Sequence, residues 1–575
     1  MLRIRSAFSG AVFGAALTLL PALAAGAPPA GGPAAPGGFH RPRKAPLNPL
    51  RNIQTTVTDD WLAFGHDPQR TGWDNGDATF TPKNVSHLKL LWSTLLPTPP
   101  SPFASQTLTA PVVVSGVRTA HGVKTLAFTI SSNNILFAID ADTGKIVWQR
   151  SFPNPLTPAR PSNWLCTNAE QATPVIDKKK GVLYFTTSDG DLRAASLADG
   201  RPMLTPTRID PPFSRNWSLD LVGNWVYTSG GRGCGGEPGD PTVSGNVDAA
   251  NVSDPAHVTV QTVYTSHGKF AGPWDRGGPV LGPEGVYVST ADGRYDPASG
   301  FFAESVVAVQ LGGKGIADSF TPSDWRLLTA RDYDLGAGSP VIFPFHGRAL
   351  LAIGAKQGIE YLLDADQLGG FDHATPLYAT PKLGNDAHRL DAYGIWGGAA
   401  TWANSKGDRF IYVPMWNAPS KDVPSFPHVN GDVAQGSIMA FQVLENHGKF
   451  SLQPAWISGV AQAPDSPSVA GGVVFEIGSG EQTIQRPPAA IRNLLRTSGF
   501  KNGMAAFDKY RNTPVGHQIL YAFDAQTGKQ LYSSRNILKS WDHFNQPVIS
   551  DGKVFVVSYD AHIYAFGLKK ERKNR

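Results

Sequence analysis

The chain has 575 residues, with 51 Lys and Arg against 46 Asp and Glu, for a formal charge of +5. So small an excess over that length gives nothing that calls for nucleic-acid binding. Charged residues are only 17%, and 61 Gly and 47 Pro punctuate the sequence, which excludes a long-helix architecture and suits many short strands joined by turns.

In chain order, Arg3 and Arg5 precede an apolar run from Ala11 to Leu23 that ends in the small-residue site Ala22-Leu23-Ala24. This pattern predicts a secretory signal over 1–24. The run is short for a membrane span, so no stable span is expected and the mature protein is expected in the periplasm or secreted. Residues 25–58 read as a Pro/Gly-rich linker. The stretch LKLLWSTLL (Leu88–Leu96) is then a strand with no partner nearby in sequence.

Two distant stretches say nearly the same thing. ILFAIDADTGKIVW (Ile135–Trp148) and ILYAFDAQTGKQLY (Ile519–Tyr532) are each a strand, an Asp-Ala-x-Thr-Gly-Lys turn and a second strand. Degenerate copies lie between and after them: QATPVID to LADG, LDLVGNWVYTSG, RGGPVLGPEGVYVSTADG to ESVVAVQL, AGSPVIF to YLLDAD, IWGGAATWA to SIMAFQV, SPSVAGGVVFEIGSG, and NQPVISDGKVFVVSYDAHIYAFG. A unit repeated about eight times at this spacing predicts an all-β fold, an eight-bladed β-propeller of four-stranded antiparallel blades over 59–568. The last unit lacks an outer strand, and Leu88–Leu96 is expected to supply it and close the ring. Residues 569–575 are a basic tail. Two insertions, 416–435 and 484–518, are either lids or surface decoration, and Pro487-Pro488 is a helix-start signal.

Several residues carry candidate chemistry. Asp332 and Asp334, two apart, share a face if the segment is a strand; the alternative is an Asp-capped turn before Gly336. Lys356 is either a site cation or a turn lysine before Gly358. Glu237 sits in the Gly-rich GCGGEPGD, where the backbone can approach a ligand closely, and Asp292 is either an oxygen ligand or the Asp of an Asp-Gly turn. Cys166 and Cys234 either form one disulfide or are two buried thiols. With no Cys-x-x-Cys-His, the chain carries no c-type haem attachment. Trp73, Trp92, Trp148 and Trp541 read as blade packing, and His66 and His543 as structural or exposed.

The segments WLAFGHDPQRTGW…NVSHLKLLW, DYDLGAGSPVIF and AIGAKQGIEYLLDADQLGG resemble the pyrroloquinoline quinone (PQQ)-dependent alcohol dehydrogenases. The repeat pattern is similar over most of the mature chain, most sharply over 272–370. The resemblance implies an enzyme that oxidises a small hydroxyl substrate with PQQ and a calcium or lanthanide ion. Electrons would pass to a separate acceptor such as a cytochrome c. It implies Asp332 as catalytic base; Glu237, Asp292 and Asp334 as metal ligands; and Lys356, Arg276, Trp274 and Cys166 at the cofactor. The sequence also departs from the family. Cys166 has no adjacent Cys, the spacing to Glu237 is one residue short, Ala291-Asp292 stands where an Asn is usual, and Arg276 falls nearest the expected ring-stacking Trp, with Trp274 offset. Repeats of this type also resemble cofactor-free scaffolds such as the outer-membrane assembly lipoprotein, which makes a binding protein of the cell envelope the alternative; this chain lacks that protein's lipid-bearing Cys.

Overall fold

The computed structural model describes residues 52–53 and 57–568, except 101–105, 159–161, 163–166, 232–243, 269, 389–392, 483–487, 498–505, 507–508 and 511–512. The signal segment, nearly all of the linker, the basic tail, Cys166, Cys234 and Glu237 therefore lie outside the described residues. Among the described residues no helix is long and apolar enough to cross a membrane.

The repeated turn explains how neighbouring blades are fastened. Asp140 Oδ1 accepts the N–H groups of Asp142 and Thr143 at 3.0 and 3.1 Å, and Gly144 N–H returns to Asp140 O at 2.8 Å. Asp524 and Gly528 build the same turn in the distant copy. Gly144 has φ 71° and Gly528 φ 69°, the left-handed conformation that glycine adopts without a Cβ penalty. The bare Cα also seats an indole. A methyl on Gly144 would stand 2.6 Å from the Trp92 ring, one on Gly200 2.7 Å from Trp148, and one on Gly528 2.3 Å from Trp456. Each indole N–H donates to a carbonyl of that turn or its counterpart: Trp92 to Ala141, Trp148 to Leu197, and Trp456 to Ala525. The tryptophans come from the outer strand of the preceding blade, so each copy of the motif locks one sheet to the next.

The chain forms an eight-bladed propeller of four-stranded antiparallel sheets. The inner strands of blades 1 to 8 are Val112–Thr119, Val175–Asp177, Asp220–Val222, Val280–Gly282, Val341–Phe345, Ala400–Ala403, Ser468–Ala470 and Val548–Ser550. Each touches the next, and the eighth touches the first. Closure is by the expected route: Leu88–Leu95 pairs antiparallel with His562–Leu568 as the outer strand of blade 8. Second strands are mostly buried, and Val182–Thr186 entirely so, because both faces of a blade are covered; Gly122–Ile130 is exposed only at its start. The closing strand has only intermediate or exposed residues after Leu88. The insertion at 416–435 adds His428–Val429, parallel to the outer strand of blade 6. A helix, Ala489–Thr497, follows Pro487-Pro488.

One segment crosses the propeller axis and touches every blade. Trp61 exchanges two backbone hydrogen bonds with Val113, and Leu62 O accepts from Ile176 N–H. Pro68 O, Gln69 O, Thr71 O and Gly72 O accept from Leu281, Ile342, Thr401 and Val469. Blade 3 is reached by Arg70 Nη2, which donates to Leu219 O at 2.9 Å, and blade 8 by Asp59 O, which accepts from Ser550 Oγ at 2.6 Å. The FGHDPQRTGW stretch is thus a strap over the inner strands, and His66 is buried in it against Trp61.

Candidate axial site

In an antiparallel four-stranded blade, the loop from second to third strand and the connection into the next blade emerge at the same end. That end carries the described candidates Asp332, Asp334, Lys356, Asp292, Trp274 and Arg276.

The connection into blade 5 opens with a short helix, Trp325–Arg331, stopped by Asp332 at φ 54°, ψ 47°. A non-glycine residue in this region is strained by on the order of 1 kcal/mol, offset here by Asp332 N–H capping Leu328 O and Thr329 O. Asp334 then leads into a 3-10 turn, Leu335–Ala337. The two aspartates are therefore not strand neighbours as the two-residue spacing suggests; a helix cap and a turn bring their carboxylates together. Lys356, from the second loop of blade 5, joins them: its Nζ donates to Asp332 Oδ1 at 2.8 Å and to Asp334 Oδ2 at 2.9 Å. The lysine side chain is 2% exposed and Asp334 0%, whereas the Asp332 side chain is 41% exposed. The ammonium lies 5.1 Å from the Trp274 ring centre and 4.9 Å from that of Trp396, a range in which ring faces attract a cation.

Asp292 also arrives here, but by its backbone: its N–H donates to Asp334 Oδ1 at 3.3 Å. Glu304, which the sequence reading passed over, is fully buried behind them. Its Oε2 accepts Leu335 N–H at 2.8 Å. Burial, then the nearby Asp334 charge, push its carboxyl well above the usual range.

Across an aromatic wall lies a second polar group. Trp396 stacks on Trp416 at 4.6 Å, and Trp274 meets Trp396 edge-on at 5.8 Å. Arg276 places its guanidinium 3.7 Å from the Phe544 ring centre, and its Nε lies 3.2 Å from Asp465 Oδ2. Its Nη1 and Nη2 are buried without a hydrogen-bond acceptor among the described residues, as is Trp217 Nε1. Arg215 covers the other side, 4.9 Å from Trp217 and 5.6 Å from Phe544. His543 is buried in an ion pair with Glu481, so it is neither exposed nor a bystander. Burial pushes the Asp542 and Asp465 carboxyls up, the latter against the pull of Arg276.

Of the eight residues expected at a site, Asp332, Asp334, Lys356 and Asp292 come together, and Trp274 packs against that group. Arg276 stands beyond Trp396. Cys166 and Glu237 lie outside the described residues. The members the sequence reading missed, Glu304, Arg215, Trp217, Trp396, Trp416, Asp465, Glu481 and Phe544, share a topological address. Each lies just ahead of an inner strand or beside a second-to-third-strand loop. Alignment of the eight units would have flagged those positions. Among the described residues no three His, Cys, Asp or Glu side chains close into a metal-binding group.

Comparison with known proteins accords with this architecture. The family model PQQ_2, described as Outer membrane protein assembly factor BamB, matches residues 70–234. A quinohemoprotein alcohol dehydrogenase from Comamonas testosteroni is 15% identical, covering 91% of this chain and 82% of its own, with a TM-score of 0.55. A europium-containing methanol dehydrogenase is 13% identical, covering 89% of this chain and 98% of its own, with a TM-score of 0.57. The quinohemoprotein alcohol dehydrogenase ADHIIG from Pseudomonas putida HK5 is 14% identical, covering 90% and 81%, with a TM-score of 0.51. No curated protein matches at a significant level. At these identities the likeness to solved structures is one of fold.

Proposed function

We propose, on the premise that this chain is a PQQ-repeat β-propeller, that it is an exported quinoprotein dehydrogenase. In this reading it oxidises an alcohol or other hydroxyl substrate at the axial site and passes electrons to a separate acceptor. The observation that carries the reading is Lys356, held between Asp332 and Asp334 over the faces of Trp274 and Trp396.

The residues suit PQQ, a flat ring system with three carboxylates. Flat aromatic faces line the axis, and beside them Arg276 Nη1 and Nη2 and Trp217 Nε1 are buried donors without an acceptor among the described residues. A buried guanidinium without acceptors costs several kcal/mol, and a cofactor carboxylate supplies them. Lys356 and Arg276 would hold it, with Trp274 and Cys166 at its ring. Bound PQQ supplies an electrophilic quinone carbonyl that takes up the hydride equivalent. Glu237, Asp292 and Asp334 would hold the calcium or lanthanide ion; hard oxygen donors are the right type, and Glu304 adds a further buried carboxylate beside them.

Asp332 has the half-open position a general base needs. Its carboxylate is oriented by Lys356 yet reaches solvent, so it can take the hydroxyl proton and release it outward. The buried Asp334 and Lys356 position it. Since the sequence has no haem attachment motif, electrons leave to another protein, such as a periplasmic cytochrome c.

Titration of the mature protein with PQQ, in calcium and then in a lanthanide, tests this. Metal-dependent binding of one equivalent, followed by dye reduction with an alcohol, is the expected result. No binding under either metal rejects the enzyme reading. It would favour a cofactor-free envelope scaffold, the alternative supported by the family-model match over 70–234.

A further inference from the structure

Blade 3 contains a charge arrangement that the proposed reaction does not use. Asp210 and Asp248 are buried side by side, bridged by Asn246, whose Nδ2 donates to Asp248 Oδ2 at 2.5 Å and to Asp210 Oδ1 at 3.4 Å. Thr262 Oγ1 donates to Asp248 Oδ1 at 2.6 Å. Neither carboxylate has a cationic partner among the described residues; burial pushes Asp210 up to about 7, and burial and then Asp210 push Asp248 up. Two buried carboxylates with no counter-charge are among the costlier arrangements in a protein.

Unsatisfied oxygens surround them. Asp210 Oδ2, Asn216 Oδ1 and Asn246 Oδ1 are all buried without a well-formed hydrogen bond, on side chains 2%, 6% and 3% exposed; the Ser214 hydroxyl, buried nearby, is a neutral group that pulls the Asp210 carboxyl down against burial. They converge. The point where a Gly230 Cβ would stand is 2.7 Å from Asp210 Oδ2 and 3.3 Å from both Asn216 Oδ1 and Arg215 O. The corresponding point on Gly231 is 2.7 Å from Asn246 Oδ1 and even closer to Ser244 O. Turning the Asn216 amide over would give Asp210 a donor, but would leave both carboxylates without a counter-charge.

We infer that the recess formed by Asp210, Asn216, Asn246 and Asp248 against Gly230 and Gly231 is a structural site for a hard divalent cation, calcium in particular. The donor set is carboxylate, amide and backbone oxygen with no nitrogen or sulfur, which selects calcium over zinc. Donors drawn from an irregular connection (Asp210, Asn216) and a strand (Asn246, Asp248) suit the adaptable coordination of calcium better than the strict octahedron of magnesium. The ion ties the connection entering blade 3 to that blade's second and third strands. Arg215 and Trp217, which face the axial site from this connection, are thereby held in place. The inference does not rest on the enzyme reading, since it uses none of the residues assigned there to the axial ion.

The test uses full-length mature protein stripped with EDTA and free of PQQ. Calcium alone should bind with one equivalent by calorimetry and raise Tm by roughly 3 °C or more at saturating concentration. Asp210→Asn should abolish both effects. Gly230→Ala should as well: its φ is outside the left-handed region, so the backbone tolerates alanine, while the methyl fills the point on which the oxygens converge. Asp334→Asn should leave both effects intact. A wild type that shows no calcium response overturns the inference, as does a response that survives Asp210→Asn or Gly230→Ala. A response lost only in Asp334→Asn assigns the ion to the axial site and overturns it equally.

Discussion

Two buried arginines on the same axis show how differently its ends are built. Arg70, in the strap, donates to the carbonyls of Phe64, Leu219 and Pro279 at 2.8, 2.9 and 3.1 Å. Arg276 is as deeply buried, yet among the described residues its two Nη groups meet no acceptor, and its Nε lies against the Asp465 carboxylate. Burial pulls both guanidiniums down from their ordinary value. One end of the axis is closed by protein on protein. At the other, Arg276 keeps two N–H groups without an acceptor among the described residues, which is what the proposed cofactor would supply. The contrast breaks if Arg70 is dispensable. Arg70→Ala leaves three carbonyls without their donor and should cost about 4 kcal/mol, a large part of a typical total. Urea titration should show the midpoint fall with the slope m unchanged.

The next largest effect belongs to the open end. If the proposed reaction holds, Asp332→Ala should reduce alcohol turnover by about 10³-fold, with PQQ affinity and Tm close to wild type, because Asp332 is the exposed member of its cluster. Unchanged turnover would remove Asp332 from the role of base. A smaller and more discriminating effect comes from Arg276→Met combined with Asp465→Asn, which removes the buried pair together and leaves no lone charge. Such replacements are often neutral or stabilising by about 1–3 kcal/mol. The double variant should therefore melt at or above the wild-type temperature while binding PQQ at least about tenfold more weakly. A clear loss of stability with unaltered PQQ binding would make Arg276 a second Arg70.

The fold was legible because its signal is local and repeated. Asp140 to Gly144 and Asp524 to Gly528 encode the same turn, and the unpaired Leu88–Leu96 stretch announces ring closure. The site was legible only where one unit carries several polar residues in a row, as at Asp332–Asp334, or a turn lysine, as at Lys356. Even there the strand geometry does not hold; a helix end and a turn present the aspartates, nearer the Asp-capped turn that the spacing also allows. Arg276, Asp465, Glu481 and His543 meet at the axis from blades 4, 7 and 8, and nothing in any one stretch reveals a meeting among residues so far apart. The strap was hidden for a related reason. Its hydrogen bonds are made by backbone carbonyls, such as those of Pro68, Gln69 and Thr71, which leave no trace in side-chain pattern.

The smallest predicted effect concerns pH and the strap end. Asp74, just beyond Trp73, is buried beside Asp59, and burial followed by that neighbour raises its carboxyl to about 9. Asp59 O and Oδ1 in turn accept from Ser550 Oγ and Asp551 N–H of blade 8. In the unfolded chain Asp74 titrates near the ordinary carboxylate value, so between roughly pH 4 and pH 9 the folded state binds more protons than the unfolded one. Stability therefore falls as pH rises through that window, because the folded protein must either keep a proton that solution no longer favours or hold two adjacent negative charges. Asp74→Asn carries the neutral form permanently. Its amide still offers the oxygen that accepts from Gly76 and Asp77 N–H. The variant should match wild type near pH 4 and exceed it by about 1–2 kcal/mol at pH 8. Parallel pH–stability curves for the two proteins would show that Asp59 and Asp74 do not share a proton. The strap end would then owe its closure to neutral hydrogen bonds alone.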